Sequence, residues 1–340
     1  MRPSLPTLTL AACLSLPFQT AGAAEQGKFW TDPAVAGQED PDFLVQGEYG
    51  SLEAEKPPFA VQVVALGDGK FDAYFLEGGL PGQGWTREKQ RVKVSGEWVE
   101  GGLLTFGQSK DGGPEKAEPV AVFGRGTLQA TWLGQTYAMT RVERKSPTLG
   151  AKAPEGAVVL FDGTNADQWK NGEVENGLLA STGTTSIPVF KDCTIHVEFR
   201  TPYKPSGRGQ GRGNSGIYYA GRWETQVLDS FGLTGEMNEC GGIYQIAKPR
   251  LNMCLPPLSW QTYDVEYTAP KFDGDGKRTA WARMTVKLNG VVVHEDQELA
   301  KLNTTAAPIG GELKDEGGPL FLQAHGNAVF YRNIWVLPKE

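Results

Sequence analysis

Glycine and proline make up a large share of this chain, and they limit the folds that it can adopt. The 340 residues include 44 Gly and 22 Pro, about a fifth of the sequence. Relative to Ala, an interior Gly costs a helix about 1 kcal/mol and an interior Pro about 3 kcal/mol. Long helices, coiled coils and helical bundles are therefore excluded. The 9 Trp and the hydrophobic fraction of 39% favour a packed β-rich protein over a disordered chain.

The charge balance is mildly acidic, with a formal net charge of −7 at pH 7. Binding to nucleic acid requires clustered Lys and Arg that neutralise phosphates. We therefore expect no nucleic-acid partner. No segment beyond the N-terminal leader approaches the roughly 20 apolar residues of a membrane helix, so no membrane span is expected.

The first 24 residues have the pattern of an export signal. Arg2 precedes an apolar stretch, and Ala21-Gly22-Ala23 supplies small residues for cleavage. We therefore expect a periplasmic or secreted protein. A second processing site stays open, because Leu10-Ala11-Ala12-Cys13 resembles a bacterial lipoprotein box in which Cys13 would carry a lipid anchor.

Two β-rich regions follow the leader, separated by a linker. Residues 25–145 contain alternating runs such as FAVQVVAL and KFDAYFLEG, which predict a small antiparallel β domain of unknown role. Residues 146–156 lack periodicity and predict a linker. Residues 157–338 predict a two-sheet sandwich or jelly roll, so the expected fold class is all-β. Three dipeptides predict tight hairpin turns: Asp68-Gly69, Asn176-Gly177 and Asn289-Gly290.

Three cysteines remain after the leader is removed. In an oxidising compartment, Cys240 and Cys254 are expected to form a disulfide. This bond would close a loop of about 15 residues and add about 3 kcal/mol of stability. Cys193 lies in the strand-like run CTIHVEFR and is expected to pack as a small buried hydrophobe.

The segment RWETQVLD carries the first candidate site residues. Glu224 and Gln226 share one face of the predicted strand, and Asp229 follows it. Their offsets match the E-x-D-x-x-E pattern of laminarinase-type β-glucanases, but Gln226 replaces the middle acid. A retaining glycosidase needs two carboxyl groups about 5–5.5 Å apart. A conventional β-glucanase-like hydrolase is therefore kept only as an alternative.

The segment LFLQAHGN carries the second set. Gln323 and His325 share a face with Phe321, at the end of a predicted strand. An imidazole in such a position suits proton transfer. A structural role for His325 stays open as the alternative.

The other two histidines are expected to have structural or solvated positions. His196 shares a face of CTIHVEFR with Glu198 and Arg200, and most of that face is expected to be solvated. His294 follows a VVV run and is expected at an exposed strand end. No two histidines have the spacing of zinc ligands, so a dedicated zinc centre is not predicted.

The glycine-rich run 207–216 has the spacing G-x-G-x-x-G but lacks the context of a dinucleotide site. A strand-like IYY follows it, whereas that site needs a helix whose N-terminus meets the pyrophosphate. Two alternatives stay open. The run is either a mobile loop that directs Arg208 and Arg212 into a site, or a plain surface loop.

Six ordered segments within residues 157–337 match a known family. They are VVLFDGTNADQWK, VEFRTPYKPSGRGQGRGNSGIYY, RWETQVLDSFG, NECGGIYQIAKPRLNMCLPP, WQTYDVEYTAP and LFLQAHGNAVFYRNIWV. Together they resemble the 3-keto-disaccharide hydrolase family, formerly a domain of unknown function. The resemblance implies a concanavalin-like jelly roll and the cleavage of glycosides whose sugar carries a ketone at carbon three.

The implied chemistry assigns roles to the candidate residues. The ketone acidifies the hydrogen on carbon two, so a base can remove it and the group on carbon one can leave by β-elimination, before water adds to the product. This needs a base, an acid and a group that stabilises the enolate. His325 and Glu224 are assigned to proton transfer, without a choice between base and acid, and Arg200 to the keto or enolate oxygen. The candidate substrate-binding residues are Gln323, Gln226, Asn214, Asp229, Trp260 and Arg212.

The sequence leaves the cofactor and the functional class of the protein partly open. No cofactor is predicted with certainty, although a divalent metal ion could serve the enolate instead, with Glu224, Asp229 and His325 as possible ligands. The expected partner is a carbohydrate substrate. A non-catalytic, lectin-like carbohydrate-binding jelly roll is the alternative from another class, because fold alone does not decide function.

Overall fold

The computed structural model describes residues 27–51, 56, 58–107 and 119–339. Within these residues the chain forms an eight-stranded barrel followed by a two-sheet sandwich, which confirms the predicted all-β class. The predicted signal peptide and Cys13 lie outside the described residues. In the described part of the chain, no helix combines the length and the apolar character needed to cross a membrane.

Two short helices precede the barrel, α1 (Pro33–Glu39) and α2 (Pro41–Val45). Each follows an aspartate, Asp32 or Asp40, whose carboxylate accepts hydrogen bonds from backbone N–H groups of the first turn. Each also begins with Pro, which is favoured there because that position needs no N–H donor.

The barrel consists of eight antiparallel strands that pair in chain order, and β1 closes it by pairing with β8. Alternate side chains such as Val61, Val63, Phe71 and Phe75 belong to its apolar core. Closure pairs both edges of the sheet. The strands are β1 (Gly47–Ser51), β2 (Phe59–Gly67), β3 (Lys70–Glu77), β4 (Arg91–Val99), β5 (Leu103–Phe106), β6 (Val120–Gly124), β7 (Thr127–Trp132) and β8 (Gln135–Val142).

The sandwich contains a five-stranded and an eight-stranded sheet. The strands are β9 (Val158–Phe161), β10 (Trp169–Lys170), β11 (Val174–Glu175), β12 (Leu178–Ala180), β13 (Thr184–Phe190), β14 (Cys193–Arg200), β15 (Ser215–Tyr219), β16 (Trp223–Val227), β17 (Gln261–Thr268), β18 (Lys271–Phe272), β19 (Arg278–Ala280), β20 (Arg283–Leu288), β21 (Val291–Glu298), β22 (Gly318–Leu322) and β23 (Phe330–Pro338). The five-stranded sheet has the order β10-β13-β22-β15-β16. The larger sheet has the order β11-β12-β23-β14-β17-β20-β21, with β9 on β23, while β18 and β19 form a separate hairpin.

The core of the sandwich lies between the two sheets. Phe199 and Tyr263 of the larger sheet pack in one cluster with Trp223 and Leu322 of the smaller sheet. Because side chains alternate along a strand, the neighbours of Trp223 and Leu322 project from the other face of the five-stranded sheet. That outer face carries the candidate site.

The three predicted hairpin turns are confirmed. Asp68-Gly69 joins β2 to β3, Asn176-Gly177 joins β11 to β12, and Asn289-Gly290 joins β20 to β21. Both residues of each turn have positive φ, for example 52° at Asn289 and 79° at Gly290. Asn, Asp and Gly adopt this conformation at low cost, which is why these dipeptides predict the turns.

The predicted disulfide between Cys240 and Cys254 is wrong, because both residues are free, buried thiols. Each sulfur has its own polar neighbour, the Tyr263 hydroxyl at 3.7 Å from Cys240 and the Leu228 carbonyl at 3.6 Å from Cys254. Both side chains thus pack as small buried groups. Cys193 is also buried, as predicted.

The barrel packs against the segment that follows β16. Val64 and Tyr74 of the barrel form a small apolar cluster with Phe231 of the sandwich. At Gly232 a Cβ would lie 2.5 Å from Val64 Cγ2, so only Gly allows this close approach. Arg91 of the barrel donates a hydrogen bond to the Gly232 carbonyl. The two units therefore share a packed and hydrogen-bonded interface.

A buried ionic cluster fixes the linker to the outer face of the larger sheet. His196 Nδ1 lies 2.6 Å from Asp264 Oδ1, and His196 Nε2 lies 3.5 Å from Glu198 Oε1. The backbone N–H of Gly150 in the linker donates to the Glu198 carboxylate. The prediction that this face is largely solvated is wrong for His196 and Glu198, because the linker covers them.

The prediction for His294 is also wrong. His294 is buried, and its Nε2 lies 2.7 Å from the Gly241 carbonyl oxygen. Burial lowers the pKa of His294 to about 4, so the neutral imidazole donates to this carbonyl.

The pKa values of His196 and Glu198 shift in opposite directions, and both shifts favour the charged forms. Burial alone favours a neutral His196, but hydrogen bonds and attraction to Asp264 and Glu198 outweigh it and raise the pKa of His196 above 6.5. Burial alone also disfavours an ionised Glu198, but hydrogen bonds from His196, Asn333 and Gly150 lower the pKa of Glu198 to about 2. The charged forms of both residues are therefore the stable ones near pH 6.

We expect His196→Gln to lower the free energy of unfolding at pH 6 by about 1–3 kcal/mol, because it removes the cation between the partly buried Asp264 and the buried Glu198 and leaves Glu198 only the Arg332 guanidinium as a charged partner. A raised pKa stabilises the fold below the unfolded value of 6.5 and loses this effect as the pH rises through the folded value. The loss should therefore be smaller at pH 9. The contribution of Glu198 is lost only as the pH falls from 4.5 toward 2, so it is present at both pH values.

Chemical denaturation of the wild type and the variant at pH 6 and pH 9 measures this difference. His325→Gln is the matched control, since His325 is exposed and should change stability by less than about 0.5 kcal/mol. An equal loss for His196→Gln at both pH values would contradict the account.

Candidate active site

The candidate site lies on the outer face of the five-stranded sheet, where β15, β16 and β22 lie side by side. The register pairs Tyr218 with Glu224 and Gly216 with Gln226 across β15 and β16. Phe321 on β22 pairs with Tyr218 from the other side. The sheet thus brings the two predicted segments, RWETQVLD and LFLQAHGN, to the same face.

Glu224 is almost fully enclosed on this face, with 2% of its surface exposed. Its Oε2 lies 2.8 Å from Tyr218 Oη. Burial raises the pKa of Glu224 to about 8, against the opposing effect of the Tyr218 hydrogen bond. Glu224 is therefore mainly a neutral carboxylic acid at pH 7.

The hydrogen bonds of Tyr218 agree with a protonated Glu224. Tyr218 Oη lies 2.8 Å from Glu224 Oε2 and also 2.8 Å from the Thr305 carbonyl oxygen, while Gln323 Nε2 donates to it at 3.2 Å. A phenol has one proton, and the Thr305 carbonyl can only accept. If that proton bonds Thr305, a protonated Glu224 supplies the proton for its own bond to Tyr218. The hydrogen bonds that Tyr218 makes with Glu224, Thr305 and Gln323 then each have one donor and one acceptor.

Gly216 makes room for the carboxyl group. A Cβ at this position would lie 2.2 Å from Glu224 Oε1 and 2.8 Å from Glu224 Cδ. Any other residue at 216 would therefore displace the acid. The glycine allows the Glu224 side chain to lie across the neighbouring strand.

Two buried amide oxygens beside the acid have no partner among the described residues, Asn214 Oδ1 and Gln226 Oε1. Both side chains are 1% exposed. Their nitrogens are fixed, since Asn214 Nδ2 and Gln226 Nε2 each donate to Gln210 Oε1 at 3.0 Å. A flip of either amide would place oxygen against oxygen. Two oriented hydrogen-bond acceptors, both closed to solvent in this structure, therefore lie on the same face of the sheet as the carboxylic acid.

Gln323 and His325 are more exposed than the carboxylic acid and the two amides, and we call their side of the site its open side. Gln323 is partly exposed, and its backbone N–H donates to the Gly216 carbonyl at 2.9 Å. His325 is exposed in the loop after β22. Asn327 holds this loop by donating to the His325 carbonyl and accepting from the Gly213 N–H. No hydrogen bond joins the His325 imidazole to the Glu224 carboxyl, so its role stays a prediction.

Comparison with known proteins places the sandwich in a family. The family model described as the 3-keto-alpha-glucoside-1,2-lyase-like domain matches residues 156–337, more than half of the chain. The chain belongs to this family. A Parabacteroides distasonis protein of known structure, named as a candidate glycosyl hydrolase, is 33% identical over 55% of this chain and 85% of that chain, with a TM-score of 0.50. Another protein of the same name and organism is 20% identical over 55% of this chain and 95% of that chain, with a TM-score of 0.41. No curated protein matches the chain.

Two residues predicted for the site of this lyase-like domain lie elsewhere. Arg200 belongs to β14 of the larger sheet, and its guanidinium lies 4.9 Å from the centre of the Trp260 ring. Arg332 lies over the same ring at 4.0 Å. Trp260 lines a cleft of about 550 Å³ between barrel and sandwich. The structure therefore does not bring Arg200 or Trp260 to Glu224, because alternation on β14 directs Arg200 away from the sandwich core.

Arg212 and Asp229 form a buried ion pair instead of a sugar-binding pair. Arg212 Nε lies 2.7 Å from Asp229 Oδ2, and the same guanidinium donates to the carbonyl of Ala65 in the barrel. Arg208 likewise donates to the barrel carbonyl of Leu66. The glycine-rich run is thus tied to the barrel, and neither arginine is directed into the site.

The described residues contain no cluster of side chains suited to bind a metal ion. Among the described residues, no three or more His, Cys, Asp or Glu side chains form a group that could hold a metal ion. Of the acids predicted for substrate binding, Asp229 is already paired with Arg212.

Sequence reasoning missed Tyr218, Gly216, Gln210 and Thr305. The first two could have been found, because the short connection after IYY predicts a hairpin that pairs Tyr218 with Glu224. Gln210 and Thr305 lie in loops, and their contacts depend on tertiary packing that no local pattern encodes.

We expect Gly216→Ala to move the Glu224 carboxyl out of its enclosure and to lower its pKa from about 8 toward 4.5, because burial is the main cause of the shift. The backbone at Gly216 is not in the left-handed region, so Ala can adopt it. A carbon NMR titration of the Glu224 carboxyl measures the change. Gly211→Ala, which meets no atom within 4 Å, is the control. An unshifted titration in Gly216→Ala would exclude this role for Gly216.

Proposed function

We propose that the protein cleaves glycosides whose sugar carries a ketone at carbon three, by elimination followed by hydration. Membership of the lyase-like family and the name of the 33%-identical relative support an enzyme that acts on glycosides. The predicted leader adds export to the periplasm or the medium to this proposal.

One observation supports the choice of mechanism: among the described residues, no second carboxylate contributes to the environment of the buried Glu224. Only burial and the Tyr218 hydroxyl shift its pKa, and no acidic neighbour contributes. Conventional glycosidases use two carboxyl groups, about 5–5.5 Å apart in retaining and about 6.5–9.5 Å apart in inverting enzymes. Gln226 stands where the second acid of the β-glucanase pattern would be. The site therefore suits elimination better than double displacement.

Elimination requires a proton at the leaving oxygen, and Glu224 can supply it. A neutral carboxylic acid enclosed beside Tyr218 is a proton donor at pH 7. Glu224 is therefore the general acid of the proposal, and the exposed His325 at the open side is the base that removes the hydrogen from carbon two.

The amide groups orient the sugar. In this proposal the site opens as substrate enters, and Asn214 Oδ1 and Gln226 Oε1, which are closed to solvent in this structure, then accept hydrogen bonds from sugar hydroxyls. Gln323 Nε2 lies beside Tyr218 and is the nearby donor for the keto or enolate oxygen, in place of Arg200.

We expect Glu224→Gln to reduce turnover by about 10²–10⁴-fold, because the amide keeps the shape of the neutral acid but cannot transfer a proton. The thermal midpoint should change little, since one neutral buried group replaces another. The assay compares a 3-keto disaccharide with its unoxidised form and measures release of the 3-keto monosaccharide. Glu295→Gln, at an exposed ion pair, is the control.

Three outcomes of this assay are informative. Selective release from the oxidised substrate supports the proposal. Cleavage of both forms favours the conventional hydrolase, and sugar binding without turnover favours the lectin-like alternative. A fully active Glu224→Gln would remove Glu224 as the acid.

We expect His325→Ala to lower turnover by orders of magnitude with an unchanged thermal midpoint, because His325 is exposed and makes no packing contribution that Ala would lose. Exchange of the carbon-two hydrogen with deuterated solvent measures the base directly. The variant should lose this exchange, whereas Glu224→Gln should retain part of it. Full exchange in His325→Ala would assign the base elsewhere.

A further inference from the structure

The loop 235–250 covers the edge strand that carries the acid. The backbone N–H of Tyr244 donates to the Glu224 carbonyl at 3.0 Å, and the N–H of Gln226 donates to the Gly242 carbonyl at 2.9 Å. The Asn238 carbonyl accepts a hydrogen bond from Gln210 Nε2 at 2.8 Å. The middle of the loop therefore lies along β16 and also holds the amide that orients the two buried acceptors.

A single arginine of the barrel joins the two ends of this loop. Arg87 lies between β3 and β4, and its Nη2 donates to the Gly235 carbonyl at 2.6 Å and to the Pro249 carbonyl at 2.8 Å. Its Nε donates to the Arg250 carbonyl at 2.9 Å. The planar guanidinium suits this role, because one rigid group presents several donors in fixed directions.

The surrounding packing holds Arg87 and the loop end together. Leu251, directly after the loop, packs on a buried barrel cluster that includes Leu80 and Trp85. A Cβ at Gly235 would lie 3.1 Å from Arg87 Nη2, so the guanidinium fits closely against the loop backbone. The barrel thus supplies both an apolar surface and a set of hydrogen bonds to the ends of the loop.

We propose that Arg87 is a positioning residue of the active site, and that through it the barrel holds loop 235–250 against β16, the strand that carries Glu224 and Gln226. Fixing both ends of a loop removes many of its open conformations. Without Arg87 the three carbonyl groups would turn to water, and the loop would separate more often from β16. The activity effect rests on the proposed function, whereas the structural effect does not.

The test compares Arg87→Ala with Arg141→Ala by amide hydrogen exchange. Arg141 is an exposed barrel arginine that donates to the Leu44 carbonyl within the same unit, so its loss should leave the loop unchanged. In Arg87→Ala, the amides of Gln226 and Tyr244 should exchange at least about tenfold faster. Exchange in the strands of the barrel should stay the same.

Two further readouts separate positioning from general stability. The Glu224 carboxyl should titrate at a lower pH in Arg87→Ala, because a loosened loop admits water to its enclosure. The value of kcat/KM for the 3-keto disaccharide should fall about 10–100-fold, mainly through kcat. Arg87→Lys, which keeps the charge but loses the fork, should give intermediate values and serves as the test if Arg87→Ala does not fold.

The outcomes are distinct for the two proposals. Unchanged exchange of Gln226 and Tyr244 together with an unchanged Glu224 titration would overturn the role of Arg87. If the protein does not cleave any 3-keto substrate, the proposed function fails, but exchange and titration still decide whether the barrel holds the loop.

Discussion

The enclosure of one carboxyl group on the outer face of a β-sheet is the constraint on which the site depends. Glu224 lies on the edge strand β16, where alternation would ordinarily leave its side chain in water. The missing side chain at Gly216 makes room for the carboxyl, the Tyr218 hydroxyl bonds it, and the loop 235–250 pairs with the backbone of the same strand. Enclosure converts an ordinary glutamate into a mainly neutral acid near pH 7.

The barrel contributes to this enclosure, although it carries none of the candidate catalytic residues. Three arginines, Arg87, Arg91 and Arg212, each donate hydrogen bonds across the interface to backbone carbonyl groups of the opposite unit. Carbonyl groups accept these bonds whatever the side chain, so the interface specifies the path of the backbone rather than the sequence of the loops. In the proposal made above for Arg87, the front unit supports the loop that lies along β16.

Local sequence patterns predicted the strands and turns, because these elements depend mainly on residues that are neighbours in the chain. Alternation assigned Glu224 and Gln226 to one face, and Asn289-Gly290 specified a turn through its backbone preference. The strand predicted through Gln323 and His325 ends earlier, at Leu322, so alternation does not apply to them. The long-range features failed for a common reason. Cys240 and Cys254 are suitably spaced for a disulfide and lie within hydrogen-bonding reach of each other, yet both are free thiols. The same alternation that placed His196 correctly on a face could not reveal the linker above it.

Arg200 and Arg212 show the same limit at the site itself. An arginine could stabilise an enolate, but its position depends on how the strands and loops pack. Arg200 is on β14, which belongs to the other sheet. Arg212 is in the glycine-rich run, which bonds to the barrel. Tyr218 is the opposite case. A hairpin register places it beside Glu224, so a two-strand argument from the sequence could have identified it, whereas the family resemblance drew attention only to charged residues.

The position of one hydrogen atom tests the central claim most directly. Neutron diffraction from a deuterated crystal at pH 7 would show it. The account predicts deuterium on Glu224 Oε2, directed at Tyr218 Oη, with the tyrosine deuterium directed at the Thr305 carbonyl. A bare carboxylate that accepts the Tyr218 deuterium, with none on Glu224, would contradict a neutral acid at this site.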